Sequence, residues 1–103
     1  MQVEITEKLR TSIKLARCLG FTILPGRTFV RDRKRCCAVG SVLVEKTDDF
    51  EFGAVEACAR ELGIHVYDCL AIAQGFDCCI AESKGPWAEI GKKLRREVES
   101  GLL

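Results

Sequence analysis

The residues of this chain whose types could do chemistry are its cysteines and its one histidine. Seven cysteines stand at positions 18, 36, 37, 58, 69, 78 and 79 of 103 residues. A thiolate can ligate a soft metal, act as a nucleophile or exchange electrons through a disulfide. A structural zinc site ordinarily shows paired ligands at C-x(2–4)-C spacing. No C-x-x-C occurs here; the pairs Cys36-Cys37 and Cys78-Cys79 are adjacent instead. Adjacent side chains diverge by about 100° on a helix and face opposite sides of a strand. Neither pair naturally aims both sulfurs at one ion. A metal or redox module would use Cys36, Cys37, Cys78 and Cys79. The favoured expectation is that the cysteines act as small hydrophobes, which free cysteine does well, with Cys58 and Cys69 on apolar helical stripes. Cys18, Cys78 and Cys79 are the candidates for exposed, reactive thiols.

His65 and Cys69 lie four residues apart, so one helical face could carry both, with Asp68 near as an orienting group. A Cys–His nucleophile pair needs that proximity. The spacing is common by chance, and no catalytic residue is assigned. Motif searches point the same way. There is no G-x-x-x-x-G-K-[ST] or G-x-G-x-x-G phosphate cradle, no H-E-x-x-H and no G-x-S-x-G. No cofactor is expected.

Composition bounds what can position these residues. Hydrophobic residues make up 48% and charged residues 30%, the balance of a globular chain rather than a disordered one. The length suits one small domain over residues 1–103. MQVEITEKLR lacks the apolar core of an export signal, and no run approaches the roughly 20 apolar residues that span a bilayer. The expected location is cytoplasmic, where thiols stay reduced, and no membrane partner is expected. Net charge is +1, unevenly spread: residues 1–47 hold ten Lys/Arg and four Asp/Glu, and residues 48–103 hold six and eleven. The imbalance fits either a basic partner-binding face or attraction between the two halves of one fold.

Two basic stretches stand out. KKLRR (92–96) spreads round a helix face and is interleaved with Glu89, Glu97 and Glu99, which marks a solvated face. RTFVRDRKR (27–35) is denser, and Phe29 could stack on a base. A nucleic-acid role would rest on Arg27, Arg31, Arg33, Lys34 and Arg35.

Periodicity supplies the elements. Ile5, Leu9, Ile13 and Ala16 make one stripe of a helix over residues 5–19, with Thr6 as N-cap and Gly20 at the left-handed C′ position. Cys18 falls nearly opposite that stripe. Residues 21–24 and 28–31 flank Pro25-Gly26 and predict a short hairpin. CCAVGSVLVEK predicts a buried helix over about 36–45, or else a third strand. Asp48 and Asp49 offer caps for a helix over about 50–62, with Val55, Cys58, Ala59 and Leu62 as its stripe. A short helix over about 66–74 carries Val66, Cys69, Leu70 and Ala73 and closes at Gly75, leaving GFDCCIAESKG as a connection. Pro86 opens the last helix, 86–99, with Trp87, Ile90, Gly91, Leu94 and Val98 as its stripe. Val39 and Val42 complete the expected core.

Residues 55–76, VEACARELGIHVYDCLAIAQGF, resemble a helix-turn-helix unit, with Ala59 four residues before the turn glycine, Gly63. The second helix departs from that pattern, since no Lys or Arg lies between 61 and 83. CCAVGSVLV, AIAQGFD and PWAEIGKKLRRE together resemble small uncharacterised bacterial domains in which a C-A-[VL]-G-[AS]-[LV] segment packs against later short helices. That resemblance spans about two thirds of the chain. It implies a compact, mostly helical fold and no activity.

The sequence thus predicts a mainly α (α+β) domain, a compact bundle of four to five helices with one short β-hairpin in its N-terminal half. The leading expectation for function is a cytoplasmic accessory or interaction domain without catalysis. Its partner would be an unknown protein or a second copy, with a contact surface between the hairpin and the 36–45 segment. Nucleic-acid binding through residues 27–35 and a thiol-based metal or redox module are the alternatives.

Overall fold

The computed structural model describes residues 2–26, 29–30, 33–46, 53–78 and 85–103. The described chain forms helix α1 (Gln2–Cys18), strands β1 (Thr22–Ile23), β2 (Phe29–Val30) and β3 (Arg35–Cys36), a single 3₁₀ turn (Gly40–Leu43), and helices α2 (Ala54–Leu62), α3 (Val66–Cys78) and α4 (Pro86–Glu99). Four helices and a small three-stranded sheet make the mainly helical α+β architecture that the periodicity predicts.

Helix α1 buries its predicted stripe, Ile5, Leu9, Ile13 and Ala16. It begins earlier than expected. Thr6 is not a cap, because its hydroxyl donates back to the Gln2 carbonyl at 2.8 Å, one turn inside the helix. Gly20 ends the helix at φ +89°. The Phe21 amide bonds to the Ala16 carbonyl and the Gly20 amide to that of Arg17, which satisfies carbonyls the helix would leave bare.

The sheet corrects the expected pairing. Its order is β1-β3-β2, so the strands either side of Pro25-Gly26 do not pair with each other. Thr22 and Ile23 pair in parallel with Arg35 and Cys36. Phe29 and Val30 pair antiparallel with Cys36 and Arg35. The short hairpin of the N-terminal half is therefore β2–β3. Gly26 has the positive φ, +102°, that a Pro-Gly turn needs. Its amide donates to Asp77 Oδ1 at 3.0 Å, tying this loop to the distant end of α3.

The 36–45 helix is also corrected. Cys36 is held in β3, where its carbonyl accepts the Leu24 amide at 2.9 Å. The chain then coils only through the 3₁₀ turn, entered at Val39 with no side-chain cap. Capless entry and three β-branched valines at 39, 42 and 44 disfavour a longer helix. Ser41 is buried there and donates its hydroxyl to the Ala38 carbonyl at 2.6 Å.

Helix α2 starts at Ala54, and the proposed caps Asp48 and Asp49 lie outside the described residues. Helix α3 runs through Gly75 to Cys78, past its predicted end. It packs along α4, which has its predicted bounds and its predicted proline at the first turn. Ile72 and Phe76 of α3 thereby enter the core with no exposure. Leu70, expected inside, is 38% exposed. Among the described residues no helix is long and apolar enough to cross a membrane.

Candidate functional site

Cys36 and Cys37 leave β3 for the interior, Cys58 points inward from α2 and Cys69 from α3, and all four are completely buried. The four form one neighbourhood, since Cys58 feels the charge of Cys69, Cys37 and Cys36, and Cys69 that of Cys37. Burial dominates their acidity. It pushes the Cys36 and Cys69 thiols up to about 12 and the Cys37 thiol to about 11, and it raises Cys58 as well. Desolvation disfavours a thiolate in apolar surroundings. These sulfurs are protonated at neutral pH and out of reach, the opposite of an activated nucleophile. Among the described residues no three His, Cys, Asp or Glu side chains stand where they could share a metal ion.

The candidate set divides accordingly. Cys36 and Cys37 are core. Cys78, read as a loop residue, is instead the last residue of α3. Cys79 lies outside the described residues. Cys18 is exposed, as its place opposite the α1 stripe predicts.

His65 precedes α3 and serves it. Its Nδ1 accepts the Tyr67 amide at 3.1 Å, and its ring stacks on the Tyr67 ring at 5.1 Å. The imidazole satisfies an amide that the helix start leaves without a partner. It is exposed while Cys69 is fully buried, so the two do not make a nucleophile–base pair.

Arg33, Lys34 and Arg35 are exposed where β2 turns into β3, and Arg27 and Arg31 lie outside the described residues. Strand register puts Thr22, Arg35 and Val30 on the outer face of the sheet and Ile23, Cys36 and Phe29 on the inner one. Phe29 stacks on Phe21 at 5.7 Å, against the core rather than toward a ligand. Helices α2 and α3 are packed neighbours joined by a short turn, with Gly63 left-handed at φ +69°. Tyr67, Leu70 and Gln74 face outward from α3, and no cation stands among them.

Sequence reasoning missed that exposed apolar face, because Leu70 falls on the same turn as the inward Cys69. Its signal was the low charge of α3, whose only charged residues are Asp68 and Asp77. No family model matches the chain, and none of the curated proteins or solved structures compared with it does.

Proposed function

We propose that this chain is a non-catalytic interaction domain of the cytoplasm that associates with a second copy of itself through the outer face of α3. The observation that carries the reading is the pair Tyr67 and Leu70, one turn apart and 73% and 38% exposed on a helix with little charge. A helix apolar on most sides is ordinarily covered on most sides. Gln74 continues the face and half-buried Ala71 flanks it. Tyr67, Leu70 and Gln74 carry no charge, and Asp77, one heptad past Leu70, is engaged by the Gly26 amide, so little opposes the self-complementary contact of a two-fold dimer. The buried, protonated thiols and the capping role of His65 support a non-catalytic reading. Among the described residues five cysteines are free, which suits a reducing compartment.

Sedimentation equilibrium of the full chain tests this. The wild type is expected to dimerise and Leu70→Glu to be monomeric with unchanged helical dichroism. A wild type that stays monomeric at high concentration, or a Leu70→Glu variant that dimerises as well, overturns the reading.

A further inference from the structure

The described cations fall into two groups. On α4, Lys92 and Arg95 pair with Glu89 and Glu99, and Lys93 and Arg96 act on Glu97. Arg10 pairs with Glu7 and Glu97 and Lys46 with Glu61, and Lys8 and Arg60 also act on Glu61. Among the described residues, Lys14, Arg17, Arg33, Lys34 and Arg35 have no carboxylate partner. All five lie between Lys8 and Val44, a stretch with nine Lys/Arg and a single acid, Asp32.

The fold brings these cations to one end. The Thr22 amide donates to the Lys34 carbonyl at 2.7 Å, which fixes the β2–β3 turn beside the exit of α1. The Lys34 ammonium reaches Gly20, just past the end of that helix, where a β-carbon would sit 3.6 Å from it. Arg17 is exposed one turn back, and Arg35 stands on the outer sheet face beside exposed Thr22. Lys34 has φ +50°, and it is the one non-glycine described residue with positive φ.

We infer that the row Arg17, Arg33, Lys34 and Arg35 binds the phosphodiester backbone of nucleic acid without reading its sequence. Guanidinium forks match phosphate oxygens in pairs, and the Thr22 hydroxyl adds a neutral donor. With Phe29 stacked inward on Phe21, this face offers no ring for a base, so the contact is to the backbone. A membrane surface is the poorer fit. Lying on one requires an apolar helix face beside the cations, and α1 buries its apolar stripe in the core. This inference concerns a different surface from the α3 face and stands independently of self-association.

Fluorescence anisotropy of the full chain with labelled mixed-sequence oligonucleotides, single- and double-stranded, RNA and DNA, tests it. With four phosphates neutralised on a single strand, affinity should fall about fiftyfold between roughly 50 and 200 mM salt. Arg33→Gln/Lys34→Gln/Arg35→Gln should weaken low-salt binding by at least about tenfold and flatten the salt slope by about two. Lys92→Gln/Lys93→Gln/Arg96→Gln removes the same charge from α4 and should change neither. Arg33→Gln alone should lower the slope by about 0.7 and serves if the triple variant loses helical dichroism. The inference is overturned if low-salt binding is absent or if both triple variants weaken binding alike. It is equally overturned if polyglutamate or phosphatidylserine vesicles bind as tightly as the oligonucleotides.

Discussion

Gly75 of α3 and Gly91 of α4 face each other where the two helices cross, so closely that a β-carbon on Gly91 would lie 3.1 Å from the Gly75 carbonyl carbon. That β-carbon would also lie 2.1 Å from the Ile72 carbonyl oxygen, and one on Gly75 would lie 2.2 Å from that of Ala88. These are backbone atoms, which cannot swing aside as a side-chain tip can. The crossing closes only because both positions lack a side chain.

Gly75→Ala and Gly91→Ala should therefore each destabilise the domain, although alanine is the better helix former. Prising the helices apart should cost about 3 kcal/mol or more. Thermal unfolding should drop by more than about 12 °C for a domain of this size. Gly63→Ala is the contrast: nothing lies within 4 Å of its β-carbon, and only the left-handed φ of +69° opposes the change. It should cost about 1 kcal/mol.

Gly75 shows what was legible in the sequence and what was not. A glycine after an apolar stripe reads as a helix stop, because glycine is costly inside a helix. Here tertiary contact outweighs that local cost, and α3 continues through Gly75. Phe76, assigned to a connection on local grounds, becomes the largest fully buried side chain among the described residues. The α1 stripe and the whole of α4 were legible because each rests on its own period and its own end signals. The strand order was not, since β3 between β1 and β2 is a choice among non-local pairings. The cysteine cluster falls between these cases. The stripes foretold Cys58 and Cys69, but their meeting with Cys36 and Cys37 needs β3, which was read as the start of a helix.

The thiols should report their burial directly. Alkylation of the native protein followed by peptide mapping should label Cys18 quickly and Cys36, Cys37, Cys58 and Cys69 only in denaturant. Cys58→Ser should cost about 1–3 kcal/mol more than Cys58→Ala, because a hydroxyl wants a partner in that apolar site.

Alkali should unfold the domain through the same four groups. Their folded pKa values lie above the unfolded value of about 8.5. Their stabilising contribution is therefore complete below about pH 8.5. It is lost as the pH rises toward 11–12, where Cys37, Cys36 and Cys69 ionise in place. Each thiol adds up to about 1.4 kcal/mol per pH unit to that loss. Urea midpoints measured from pH 7 to 10 should fall steeply, and less steeply in Cys58→Ala.

Acid should act on a different contact. Arg10 grips Glu97 with two hydrogen bonds, Nε to Oε1 at 2.8 Å and Nη2 to Oε2 at 2.7 Å, joining α1 to α4. The bond from Arg10 holds the Glu97 carboxyl below its ordinary range, against the opposing effect of burial. A lowered folded pKa stabilises above the unfolded value of about 4.3, and that support goes as the pH falls through the folded value. Stability should therefore drop below about pH 4. Glu97→Gln should remove about 1 kcal/mol at neutral pH and flatten part of the acid slope, leaving the share of Glu61, which Lys46 lowers at 2.9 Å.

Arg95 closes the far end of α3 and should be the costliest surface arginine to lose. Its Nη1 donates to the Phe76 and Asp77 carbonyls at 2.6 and 3.0 Å, and its guanidinium lies 5.9 Å from the Phe76 ring centroid. Late-turn carbonyls of a helix lack intrahelical donors, and a cation there also meets the negative end of the helix dipole. The Nε bond to Glu99 is one turn along the same exposed helix and is worth only about 0.3–0.5 kcal/mol. Arg95→Met keeps much of the stem and strips both carbonyls, so it should cost about 2 kcal/mol. Arg95→Lys offers a single point of charge in place of a fork and should recover less than half of that. Glu99→Gln should be nearly silent. Chemical denaturation of the three variants separates the cap from the ion pair: if Glu99→Gln costs as much as Arg95→Met, the carbonyl contacts contribute nothing and the salt bridge accounts for the whole effect.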